Sequence, residues 1–107
     1  MSGNSLVVLV TTGSVEEART IAQTVVEERL AACASLVEHV QSIFRWEGRI
    51  QSEQESLLIL KTTAVRFPEL QTRIKAVHSY SVPEIIAFPI LMGAEDYLAW
   101  INRETQE

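Results

Sequence analysis

Apolar and polar positions along this chain repeat first with the period of a strand, then of a helix, and each change of period marks an element. Ser5 to Thr12 is a run of Val and Leu closed by threonines and Gly13, with the length and composition of a strand buried on both faces. Ser14-Val15-Glu16-Glu17 then reads as a capping box, the hydroxyl and the carboxylate each satisfying an orphan amide of a first helical turn. Ala18, Ile21, Ala22, Val25 and Val26 recur at helical spacing, with Glu16, Arg19, Thr20, Gln23, Glu27 and Glu28 on the other side. From about Cys33 to Trp46 the period shortens, with Leu36, Val40, Ile43 and Phe44 set among polar residues. Glu47-Gly48-Arg49 makes a turn, and Gln51 to Thr62 completes a long hairpin.

A second helix is predicted over Ala64 to His78, where Phe67, Leu70, Ile74 and Val77 form a stripe and Pro68 is tolerable only in the first turn. Pro83 forces the chain out of helix, and Ile85 to Met92 reads as a further strand. Pro89 removes a ladder donor, which places that strand at a sheet edge or at a bulge. After Gly93, Ala94 to Arg103 carries Tyr97, Leu98 and Ile101 on one stripe of a short helix.

The resulting order, βαββαβ with a short C-terminal helix, is the α+β ferredoxin-like split βαβ, whose two main helices cover one face of a four-stranded sheet. Leu58 and Leu60 point to one side of their strand and Leu57 and Ile59 to the other, so the uncovered face is apolar too and self-association is expected. At 107 residues the chain is expected to be one domain spanning 1–107.

Charge narrows the partners. A net charge of −5, from 14 acidic against 9 basic residues with the basic ones scattered, argues against a nucleic-acid or anionic-membrane surface. The longest apolar stretch, Ile85 to Gly93, falls short of the ~20 residues that span a bilayer. The N-terminus lacks a basic segment, and Leu6 to Val10 is too short for a signal peptide's apolar region, so a cytoplasmic location is expected. A single cysteine excludes an intrachain disulfide and a C-x-x-C pair.

The densest chemistry lies in His78-Ser79-Tyr80-Ser81-Val82-Pro83-Glu84, which delivers an imidazole, a phenol and a carboxylate to one rim of the sheet. His78 ends a helix, where the dipole favours an imidazolium; a backbone-bonded structural histidine is the plainer alternative. Cys33, His39, His78 and Met92 are the soft or borderline metal donors, and no pair of them has diagnostic spacing. On the residues alone Cys33 reads as a small buried hydrophobe and His39 as a solvated strand residue. Glu55, Ile59 and Lys61 share a strand face, but six residues separate Glu55 from Lys61 by about 20 Å. They are expected to find partners across subunits, with an intersubunit salt bridge the simplest role. Trp46, at the hairpin tip, needs a neighbour to pack on. No nucleophile stands beside a base and no phosphate loop is present, so no catalytic residue is assigned and an enzyme is not expected.

Leu30-Ala31-Ala32-Cys33, Phe44-Arg45-Trp46-Glu47-Gly48-Arg49, Glu55 ahead of Lys61-Thr62-Thr63, His78 to Ile85, Pro89-Ile90, Gly93, Tyr97 and Trp100 form an ordered set. By that set the chain resembles the CutA-type divalent-cation tolerance family. The resemblance implies a ferredoxin-like homotrimer similar in architecture to PII signal proteins, and an association with copper and other divalent cations. It implies no reaction. With it, Cys33 and His78 become the candidate ligands for copper(II) or another divalent metal. Trp46, Glu55, Lys61, Tyr80 and Glu84 become candidates for a cleft between subunits that takes divalent cations and small anionic ligands. The competing reading is a PII-like sensor of a small molecule with no primary metal role.

Overall fold

The computed structural model describes residues 4–106. Four strands, β1 (Ser5–Thr12), β2 (Cys33–Trp46), β3 (Arg49–Thr63) and β4 (Ile85–Pro89), form one antiparallel sheet in the order β2-β3-β1-β4. Three helices, α1 (Val15–Glu27), α2 (Phe67–Val77) and α3 (Glu95–Glu104), accompany them. This is the ferredoxin-like α+β arrangement with an added C-terminal helix.

Val8 and Val10 of β1 and Leu58 and Leu60 of β3 face Ala18, Ile21 and Val25 of α1 and Leu70 and Ile74 of α2, all fully buried. The alternation on β1 and β3 therefore sends one set of side chains under the helices. The opposite set meets no main helix. Register puts Val7 beside Lys61 and Phe88, Leu9 beside Ile59 and Ile86, and Val37 beside Leu57, all on that second face. Ile86 and Phe88 remain about half exposed there. Among the described residues one end of this face is covered, by α3, whose Leu98 and Ile101 pack with Ala32.

Two boundaries differ from the sequence expectation by three residues and the others by two at most. α2 begins at Phe67 rather than Ala64, because residues 64–66 make a turn in which the Arg66 amide donates to Thr63 O at 3.1 Å. Pro68, lacking an N–H, sits in the first turn of the shorter helix. β4 ends at Pro89 rather than Met92, leaving Leu91 and Met92 strongly exposed. β4 is an edge strand, so Pro89 costs the sheet no ladder bond.

β2 and β3 outrun the sheet. β1 pairs with β3 only from Ser56 to Thr63, while β2 pairs with β3 on to Trp46 opposite Arg49. The excess is a two-stranded arm, which makes the molecule 44 Å long against 25 × 22 Å in cross-section. Its tip is a two-residue turn with Glu47 at φ 51° and Gly48 at φ 79°, the left-handed pair that suits strand twist. A register shift between Val37 and Val40 marks where the arm leaves the sheet, and such a bulge adds bend and twist.

Candidate functional site

The site is built from the end of α2 backward. His78 leaves the helix in an extended conformation with its side chain fully buried. Its Nε2 lies 2.8 Å from Thr11 O, and its Nδ1 accepts the Tyr80 amide at 3.0 Å. With a carbonyl on one nitrogen and an amide donor on the other, the network assigns the neutral Nε2–H tautomer. The imidazole also meets the Tyr80 ring at a centroid distance of 4.7 Å. Glu17 pins the same turn from α1, accepting from the Ser79 amide at 2.7 Å and from its hydroxyl at 3.1 Å. Half of the expected capping box forms, with Ser14 Oγ accepting the Glu17 amide, but the Glu17 carboxylate is turned to Ser79. Burial acts to raise the Glu17 pKa, yet the two Ser79 bonds and the Gly13 backbone hold it below the ordinary carboxylate value.

Held from both sides, Tyr80 aims its hydroxyl at β3 and donates to Glu55 Oε2 at 2.7 Å. Glu55 is 8% exposed. Burial, then the bond to Glu55 and its negative charge, with Glu17 and Glu53 adding less, push the Tyr80 phenol well above its usual value. It therefore stays a protonated donor. A Cβ at position 13 would come 3.3 Å from the Tyr80 hydroxyl, so Gly13 leaves the room that this geometry uses.

Between the arm and the 80–84 segment opens a cleft of about 740 Å³. Phe44, Trp46, Glu53, Glu55, Tyr80 and Glu84 supply its character. Phe44, Trp46 and Tyr80 are each partly exposed, and no Lys, Arg or His is among its lining residues. Four of the five residues expected to bind a ligand thus meet here. The fifth, Lys61, does not.

Lys61 pairs with Cys33 in the ladder, six residues along β3 from Glu55. Its Nζ is 4.0 Å from Cys33 Sγ, and the Tyr97 hydroxyl lies 3.7 Å from the same sulfur. That contact, followed by burial, raises the Tyr97 pKa. Even spacing placed Lys61 and Glu55 on one face but at opposite ends of it, about 20 Å apart. A small anion, one of the expected ligands, would meet carboxylates in the cleft and, among the described residues, no basic lining side chain, the nearest in register being Arg49 opposite Trp46 at the arm tip.

Cys33 and His78, the expected metal ligands, are not brought together. Cys33 lies at the Lys61 end, while His78 bonds to Thr11, which pairs with Leu57. Both His78 nitrogens are already engaged. Among the described residues no group of three or more His, Cys, Asp and Glu side chains is placed to hold a metal ion. This chain's own residues do not fit a closed soft-donor centre, which needs three or four ligands. His39, expected in a plain strand, sits at the bulge with Nδ1 2.7 Å from Gln54 Nε2.

Sequence reasoning missed Glu53, Phe44 and the supporting Glu17. Glu53 was within reach, since it lies two residues before Glu55 and so shares its strand face.

The chain is thus an α+β protein whose ferredoxin-like sheet carries an acidic, aromatic-walled cleft. The family model for the CutA1 divalent ion tolerance protein matches residues 6–104, and the chain belongs to that family. It is 52% identical over 99 residues to a divalent-cation tolerance protein CutA of Thermus thermophilus, covering 92% of this chain and 96% of that one. It is 41% identical to a chloroplastic CutA protein of Arabidopsis thaliana, covering 95% of this chain but only 56% of the plant protein. The solved structure of an Archaeoglobus fulgidus CutA, described as a periplasmic divalent cation tolerance protein, superposes with TM-score 0.92 at 37% identity over 95% of this chain and 99% of that one.

Proposed function

We propose that this chain is the one-domain subunit of a non-catalytic cytoplasmic homotrimer that contributes to divalent-cation tolerance, copper included, through its acidic cleft. The observation that carries the reading is the gathering of Glu53, Glu55 and Glu84 around one cavity with no basic lining residue. Copper(II) accepts oxygen donors, and incoming cations are drawn to a cleft of one sign of charge. Self-association is supported by the half-exposed Ile86 and Phe88 on the uncovered sheet face and by the arm. A two-stranded ribbon is marginal alone in water, and Ile43 and Ile50 on this one are mostly exposed. A neighbouring subunit laid on the arm would cover them and narrow the mouth of the cleft. The lone cysteine supports the cytoplasmic assignment. Among the described residues no helix is long and apolar enough to cross a membrane.

Equilibrium dialysis of copper(II), with light scattering on the same samples, tests the reading. The expected result is a mass of three protomers, uptake reduced in Glu53→Gln/Glu84→Gln, and uptake retained in Cys33→Ser. Both cleft residues are exposed, so the fold should tolerate the change. A monomer mass would refute the assembly. Uptake lost only with Cys33→Ser would refute the cleft.

A second reading, a PII-like sensor, is favoured by size: a cleft of about 740 Å³ exceeds what a metal ion needs and suits a small molecule.

A further inference from the structure

We propose that the cleft also takes a small organic cation, an amine or guanidine carried on an apolar body, in preference to neutral or anionic molecules of the same shape. This rests on the reading of the cleft as the ligand site and names the class of ligand.

The argument begins with Glu55. It is 8% exposed, its Oε2 receives the Tyr80 hydroxyl, and its Oε1 has no hydrogen-bond partner among the described residues. Glu55 lines the cleft, and a carboxylate holding one hydrogen bond keeps lone pairs free for a further donor that enters there. Tyr80 fixes that carboxylate by donating a hydrogen bond and carries no charge of its own that would cancel the carboxylate's. Glu53 and Glu84 add negative charge on either side, from the arm and from the 80–84 segment.

The walls decide between kinds of cation. Phe44 and Trp46 from the arm and Tyr80 from the opposite side offer partly exposed rings around the acidic floor. Aromatic faces attract ammonium and guanidinium groups and cover apolar carbon. A bare metal ion would use neither, and no three-donor cluster is present among the described residues. A volume of about 740 Å³ leaves room for a body of several carbons beside the charged head.

Isothermal titration of the assembled protein with three probes that share one phenylethyl body tests this: phenethylammonium, phenethyl alcohol and 3-phenylpropionate. The cation should bind about tenfold more tightly than the alcohol, as one ion pair and one cation–π contact would give. The carboxylate should bind more weakly than either. Glu53→Gln/Glu84→Gln should shrink the preference of cation over alcohol, and Trp46→Leu should weaken both. Equal affinity for cation and alcohol, or a lead for the anion, overturns the inference. If no organic probe binds while copper(II) uptake still depends on Glu53 and Glu84, the inference falls and the cleft reading stands. If neither probes nor copper(II) respond to the cleft variants, both fall.

Discussion

Removing a single oxygen tests the geometry on which the site depends. Tyr80→Phe keeps the ring against His78 but deletes the 2.7 Å bond to Glu55 Oε2. Hydrogen bonds to charged groups contribute about 1.5–3 kcal/mol, and a buried acceptor left unpaired lies toward the upper end. Two facts pull the figure down: Tyr80 is 36% exposed and the cleft is open, so water can reach the vacated carboxylate oxygen. The expected cost is therefore about 1.5–2 kcal/mol per subunit. On a domain of this size that corresponds to a fall of roughly 6–12 °C in Tm, compared at equal protomer concentration because association also shifts Tm. Urea denaturation of a double-mutant cycle with Glu55→Gln isolates the pair. With the carboxylate replaced by an amide, Tyr80→Phe deletes only a neutral bond, worth about 0.5–1.5 kcal/mol. The substitution should thus cost less in the Glu55→Gln background. An equal cost in both backgrounds, or none in either, would refute the claim that Tyr80 and Glu55 act as a charge-assisted unit.

In a Tyr97→Phe background, the ultraviolet phenolate signal reports Tyr80 alone among the two tyrosines, and it should still be absent at pH 10, where a free phenol is half ionised. Because the folded pKa is raised, the Tyr80 contribution to stability is complete below pH 10 and lost as pH rises through the folded value. Glu55→Gln should bring the signal back toward pH 10, and a wild-type titration already at 10 would refute the assignment. For Glu17 the sign is opposite: its folded pKa lies below 4.5, so the stability lost in Glu17→Gln should be constant above about pH 4.5 and shrink as pH falls through the folded pKa. A difference that persists undiminished into acid would show the Ser79 bonds to be independent of charge. Gly93→Ala should destabilise by about 1–3 kcal/mol in denaturant titration, since a Cβ there would press to 3.1 Å on Leu98, which is 7% exposed; an unchanged midpoint would mean that α3 shifts freely.

Periodicity carried most of the fold because each element buries one consistent face. The stripe from Phe67 to Val77 and the Val/Leu run from Ser5 to Thr12 announced themselves, and Pro89 located an edge strand by the donor it lacks. The bulge at Glu38 and His39 was not legible, since a bulge is a relation between two strands and neither strand alone records it. The site divides the same way. Tyr80, Glu84 and Trp46 were found from their places at a helix exit, a strand start and a turn. Lys61 lies about 20 Å along β3 from Glu55, as six residues of strand require, so within one chain it stands outside the cleft. His78 was visible as an imidazole at a helix end, but what it does depends on Thr11 O and the Tyr80 amide, which only the folded chain brings to its two nitrogens.

Glu53, Glu55, Leu57, Ile59 and Lys61 alternate along β3 onto a single face, so the surface that holds the cleft runs without interruption into the surface that the main helices leave bare. That continuity constrains how the site and the assembly relate. In the proposed assembly a second subunit covering Leu57 and Ile59 would lie next to the arm, which carries Phe44, Trp46 and Glu53. In that proposed arrangement, burial of the apolar rows and closure over the cleft would be one event, driven mainly by apolar area at about 25 cal/mol per Å². If that assembly closes over the cleft, a ligand held between the arm and the 80–84 segment would stabilise the assembled state by linkage. Raising the concentration of such a ligand should accordingly lower the protomer concentration at which the complex falls apart, whereas a ligand at the Cys33 and Lys61 end, under α3, would leave it unchanged.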